Sequence, residues 1–112
     1  MAKKLFRNYD YEFDKNEIKI LTTFCKQFTK QLEGNTQFYR ELGVFNSIIN
    51  KLNNAEGTVR FTKEEKTKLV LQLKENVKHI EKEMQKAWFI KKWLLRSMYN
   101  QYSNLLNNKL SE

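Results

Sequence analysis

The sequence predicts an all-α fold, an antiparallel bundle of three to four helices over residues 14–33, 36–52, 63–86 and 88–107. Apolar residues recur at intervals of three and four along most of the chain, which is typical of helices with one buried face. The stretch from Thr62 to about Leu106 contains neither proline nor glycine, the two residues that interrupt helices most strongly. We therefore expect a single helical domain over residues 1–112, with a short extended leader at 1–13.

The leader alternates aromatic and acidic residues from Tyr9 to Asp14. Such alternation is typical of an extended segment that places its aromatic side chains on one side. We expect these aromatics to contact the helices and the carboxylates to face water. The carboxylates alone offer too few oxygen ligands for Mg²⁺ or Ca²⁺, so the sequence predicts no metal site.

A capping box predicts where the first helix begins. Asp14 is the expected N-cap, and Glu17 stands three residues later to complete the pattern. Gly34 then ends this helix, because glycine commonly follows the last helical turn. The second helix begins almost at once, so the two must form an antiparallel hairpin. Gly43 lies inside the second helix, where a small residue would allow a neighbouring helix to approach closely.

A second capping box, made by Thr62 and Glu65 after the apolar Phe61, predicts the start of the third helix. Beyond it one apolar stripe continues for about 40 residues on the helical projection. Its members are Leu69, Val70, Leu73, Val77, Ile80, Met84, Ala87, Trp88, Leu94, Leu95, Met98, Tyr102 and Leu105. Because nothing in the sequence interrupts this stripe, we favour one long or kinked helix within a dimer. The alternative is two helices that fold back into a compact monomer.

The composition gives a net charge of +8, from 21 Lys and Arg against 13 Asp and Glu. This excess favours anionic partners, although it also serves solubility alone. The single cysteine, Cys25, cannot form an internal disulfide, which fits a reducing compartment. The basic start lacks the apolar core of a signal peptide, and no apolar run approaches the length of a membrane span. We expect a cytoplasmic protein.

The sequence contains no recognisable catalytic constellation. Its one histidine, His79, has Glu75 and Glu83 one helical turn away on either side, but lysines surround this row and such rows are usually solvated. Cys25 falls on the apolar face of the first helix and is expected to be a small core residue. There is no glycine-rich phosphate loop, zinc-type spacing or nucleophile elbow. We expect no enzyme activity, cofactor, metal or small-molecule substrate.

A second stripe marks the candidate surface. Phe89, Lys92, Trp93 and Arg96 are spaced i, i+3, i+4 and i+7, so a helix would place them on one face, away from the main stripe. The interpretation that we favour is burial of the aromatics under the first helix, the leader or a second subunit, with the basic groups reaching water. The alternatives are a docking site for another protein, and contact with nucleic acid or a bilayer interface.

The predicted function is that of a small cytoplasmic interaction or assembly module, without catalysis, that self-associates through its C-terminal helix. A homodimer or another protein is the expected partner, because the stripe is longer than the short hairpin can cover. The alternative is an accessory nucleic-acid-binding protein that uses the basic and aromatic helix face. A membrane surface is not an expected partner.

Overall fold

The computed structural model describes residues 9–110 of the chain. Its elements are β1 (Tyr9–Glu12), α1 (Lys15–Leu32), a 3₁₀ helix (Thr36–Phe38), α2 (Tyr39–Asn53), β2 (Thr58–Phe61), α3 (Lys63–Lys86) and α4 (Phe89–Asn108). The all-α class is confirmed, with a helix close to every predicted range. The first eight residues of the predicted leader lie outside the described residues. The chain forms two compact units, which meet in sequence between Thr67 and Lys68.

The predicted capping box begins α1. The Asp14 carboxylate accepts a hydrogen bond from the Glu17 amide at 2.7 Å, and the Glu17 carboxylate accepts one from the Asp14 amide at 2.9 Å. Gly34 follows the helix with φ of 82°, a conformation that glycine adopts without steric cost. Both ends of α1 are therefore set by local sequence, as predicted.

The core of the first unit lies between α1 and α2, which pack against each other as the predicted hairpin. The rings of Phe28 and Phe45 meet with centroids 4.6 Å apart. Phe45 is fully buried and Phe28 is half-buried. The other buried apolar side chains of the two helices are Leu21, Phe24, Cys25, Leu32, Ile48 and Leu52. Gly43 is not a close-approach site, because a Cβ atom built on it would meet nothing within 4 Å. The expectation of close helix approach at Gly43 is therefore wrong.

The two strands form an antiparallel ribbon in which Tyr9 pairs with Phe61 and Tyr11 with Val59. Tyr11, Val59 and Phe61 are buried, and so is Phe13 just beyond β1. These residues alternate with exposed polar ones, as expected for strands that have one buried face and one solvent-exposed face. The leader was predicted to be extended, and the expected burial of its aromatic residues is confirmed for Tyr11 and Phe13, but its pairing with β2 was not predicted.

The second capping box begins α3. The Thr62 amide donates to the Glu65 carboxylate at 2.8 Å, and the Glu65 amide donates to the Thr62 hydroxyl at 3.2 Å. Within α3, Leu69, Leu73 and Ile80 are buried, as the apolar stripe predicts. The first half of the stripe is therefore correct.

An unbroken helix beyond Thr62, which was one form of the long or kinked helix that we favoured, is wrong, because α3 ends at Lys86 and α4 begins at Phe89. The two helices match the predicted ranges 63–86 and 88–107 closely. Trp88 between them is extended, with φ of −77° and ψ of 170°, and its carbonyl accepts the first hydrogen bond of α4 from Lys92. No proline or glycine marks this break. The helical phase shows which residues share a face, but it does not show that the backbone continues. Of the described residues, none belongs to a helix long and apolar enough to cross a membrane.

Candidate functional site

The predicted surface residues come together on the first half of α4. Phe89, Lys92, Trp93 and Arg96 line an open groove of about 520 Å³, and Ile90 completes its wall. We call these five residues the α4 groove. All four predicted residues therefore share one site, and the sequence pattern missed only Ile90.

The aromatic side chains of this groove are exposed. Phe89 retains 75% of its accessible surface and Trp93 retains 72%. Burial of these aromatics within one chain, which was part of the interpretation that we favoured, is therefore wrong. The physical reason is that side chains at helical spacing need a partner surface to cover them, and spacing does not supply one.

The exposed apolar surface extends beyond the groove. Trp88, Leu94 and Met98 are exposed as well, and the Trp88 ring stands edge-on to that of Phe89 with centroids 6.0 Å apart. All three belong to the main apolar stripe, which we expected to be longer than the helical hairpin can cover. Helical spacing places residues on one face, but it does not show whether that face is covered.

The charge around the groove is of one sign. Lys91, Lys92 and Arg96 are exposed, and the sequence contains no Asp or Glu between Glu83 and Glu112. The first turn of α4 also lacks an acidic residue, and no side chain caps its N-terminus. The surface therefore combines large apolar side chains with positive charge that nearby residues of the sequence do not offset.

The residues considered for catalysis, His79 and Cys25, differ in their exposure. His79 Nε2 lies 3.9 Å from Glu83 Oε1, and both side chains are substantially exposed. Cys25 is fully buried, and this burial raises the pKa of its thiol to about 12, which suppresses the reactive thiolate. Within residues 9–110, no cluster of three or more His, Cys, Asp or Glu side chains could hold a metal ion.

A buried carboxylate that the sequence pattern identified only as a helix cap has additional partners. Glu65 accepts hydrogen bonds from Ser47 Oγ at 2.6 Å and from Lys51 Nζ at 2.5 Å, both on α2. Burial by itself raises the pKa of this carboxyl, but the bonds from Lys51, Ser47 and the Thr62 amide outweigh it and hold the pKa below its ordinary value. The cluster joins α2 to the start of α3, and both oxygens of Glu65 accept hydrogen bonds within it.

A second open groove, of about 580 Å³, lies along α2 and the start of α3 in the first unit. Arg40 and Glu64 form an ion pair across it at 2.9 Å, and Glu65 in its wall is paired with Lys51. Its charges therefore offset each other, unlike those of the α4 groove.

The α4 groove is thus the candidate site, suited to contact apolar and anionic groups. Its lining consists of three apolar side chains, Phe89, Ile90 and Trp93, and two basic ones, Lys92 and Arg96. Comparison of the chain with protein-family models, curated proteins and solved structures finds no match.

Proposed function

We propose that this protein is a small helical interaction module without catalytic activity, and that the α4 groove is its docking surface. One observation carries the proposal: Phe89 and Trp93 lie side by side on one helix face and are about three-quarters exposed. Large exposed apolar patches on small proteins are typical of interaction sites, and Trp and Arg are the residues that most often anchor them.

Self-association is the first form of this proposal. Two copies that place their α4 faces together would shield Phe89, Trp93 and Leu94 from water in a single isologous interface. The gain comes from the removal of apolar surface from water, about 25 cal/mol for each Å². We also propose that the module works in the cytoplasm, since its single thiol is free and lies in the core.

Light scattering during gel filtration tests self-association. We expect the mass to rise from monomer to dimer as the concentration passes through the micromolar range, and Trp93→Ser to shift the transition to higher concentration. Tyr39→Ser is the matched control, because Tyr39 is 79% exposed but belongs to α2 in the first unit. A monomer at every concentration, or equal shifts in the two variants, would contradict self-association.

Nucleic acid is a second candidate partner, favoured by the position of Trp93 beside Lys92 and Arg96 in the same groove. Cations would contact phosphates while the indole ring stacks on a base. This candidate predicts retention of single-stranded RNA or DNA that weakens steeply with added salt, and weaker retention by Arg96→Gln. Absence of retention at low salt would exclude it.

A further inference from the structure

We propose that the α4 face docks on the surface of an anionic lipid bilayer, with the helix axis parallel to the membrane plane. The α4 face consists of the exposed apolar residues Phe89, Ile90, Trp93, Leu94 and Met98. This inference rests on the proposed function, because it names the partner of the same docking surface.

The apolar residues of the α4 face occupy one side of the helix. At 100° per residue, and with Phe89 as origin, Trp93 lies at about 40°, Ile90 at about 100°, Leu94 at about 140° and Met98 at about 180°. The arc thus covers about half of the helix circumference, which suits a helix that lies in the plane of a membrane interface.

Cations border this arc on both sides. On the same projection Lys91 lies at about 200°, next to Met98, while Lys92 lies at about 300° and Arg96 at about 340°, next to Phe89. Long basic side chains on both edges can reach lipid phosphates while the arc enters the acyl boundary. Each such charge adds about 1 kcal/mol of attraction to an anionic leaflet.

The side of α4 opposite to the arc is held by the protein. Leu95 and Tyr99 are partly buried, and Tyr102 further along the helix is fully buried. Contact of the arc with a bilayer therefore requires no unfolding of this buried side.

The chemistry of the arc favours lipid over the other partners. Ile90, Leu94 and Met98 are aliphatic or flexible side chains that suit acyl chains and cannot stack on bases as aromatic rings do. A second copy would bring its own cations close to those of the first, because no acidic residue lies between Glu83 and Glu112. An anionic bilayer offers both an apolar interior and the missing negative charge. Self-association and lipid binding use the same residues and should therefore compete.

The test uses vesicles of equal parts phosphatidylglycerol and phosphatidylcholine, with pure phosphatidylcholine vesicles for comparison. The two tryptophans of the chain, Trp88 and Trp93, both belong to this region, so their emission reports contact directly. We expect co-sedimentation with the anionic vesicles, a blue shift of the emission, and much weaker binding to the neutral ones. Lys92→Gln/Arg96→Gln should lower the partition constant about 30-fold.

The matched control is Lys74→Gln/Lys78→Gln, which removes the same charge at the same i, i+4 spacing from exposed positions of α3. It should change the partition constant far less than the α4 variant does. Equal losses in both variants would show that only the overall charge acts, and would overturn the proposal. Equal binding to neutral vesicles, or none to anionic ones, would also overturn it.

Other partners give distinguishable results. A blue shift with single-stranded RNA or with an acidic peptide, but not with vesicles, overturns the lipid assignment and leaves the interaction module in place. A dimer that depends on Trp93, formed by a protein that does not bind vesicles, would also overturn the lipid assignment and leave the interaction module in place. A monomer that binds anionic vesicles through Lys92 and Arg96 supports the lipid assignment. It also excludes self-association as the sole role of the α4 groove.

Discussion

The ammonium group of Lys51 lies 2.5 Å from Oε1 of Glu65, a side chain that is only 7% exposed. The contact joins α2 to the first turn of α3, and Glu65 also completes the capping box with Thr62. A charge at this depth is tolerated because its oxygens accept bonds from Lys51, Ser47 and the Thr62 amide. The pair is therefore a structural element of the first unit, and its loss should be measurable.

Glu65→Gln should lower the free energy of unfolding by about 2 kcal/mol, because Lys51 keeps its charge and loses its partner. Urea denaturation at neutral pH measures the change. Glu64→Gln is the control, since Glu64 pairs with Arg40 at a well-exposed site where ion pairs contribute little. Equal losses in the two variants would contradict a special role for Glu65.

The stability of the wild-type protein should also fall in acid because of Glu65. Its folded-state pKa lies below its ordinary value, so the carboxylate contributes stability above the unfolded-state pKa of about 4.3. That contribution disappears as the pH falls through the folded-state pKa. Denaturation curves between pH 7 and pH 3 should therefore converge for wild type and Glu65→Gln. Parallel curves across this range would show that Glu65 is not the linked group.

Cys25 should be unreactive in the folded protein, because it is fully buried and burial raises the pKa of its thiol to about 12. A thiol reagent such as DTNB at pH 8 should label it only as fast as the protein opens, and at once in denaturant. Immediate labelling of the native protein would show that the packing of α1 against α2 is looser than described.

Alanine substitutions at two glycines should change the free energy of unfolding in opposite directions. Gly43→Ala should raise the free energy of unfolding by about 1 kcal/mol, because the site is helical and a Cβ atom there meets nothing within 4 Å. Gly57→Ala should lower it by about 1–2 kcal/mol, because its φ of 99° disfavours a side chain. Thermal melts of the pair supply the measurement, and a change of the same sign in both variants would contradict the described backbone.

Local signals account for the parts of the fold that the sequence predicted. The cap residues Asp14 and Thr62 act on amides three residues away, so their hydrogen bonds can be read from short motifs. The pairing of Tyr9 with Phe61 could not be read in this way, because it depends on the path of the intervening helices. The alternation of residues in the leader predicted an extended segment, but it did not identify the strand with which that segment pairs.

The sequence predicted which residues share the candidate site, but it did not predict whether other residues cover them. The spacing of Phe89, Lys92, Trp93 and Arg96 correctly grouped them on one helix face. Whether such a face is covered depends on what packs over it, which periodicity does not report. The break between α3 and α4 at Trp88 could not be predicted for a related reason. The residues around it are all compatible with a helix, and no side chain caps the start of α4.

The ribbon of β1 and β2 has a consequence for how the chain folds. Its Asp10–Arg60 contact spans 50 residues, whereas the helical hairpin forms between neighbouring segments. Closing so long a loop carries an entropy cost, so the ribbon should form after α1 and α2 have collapsed together. Substitutions that weaken the strand pairing should therefore accelerate unfolding and leave the refolding rate almost unchanged.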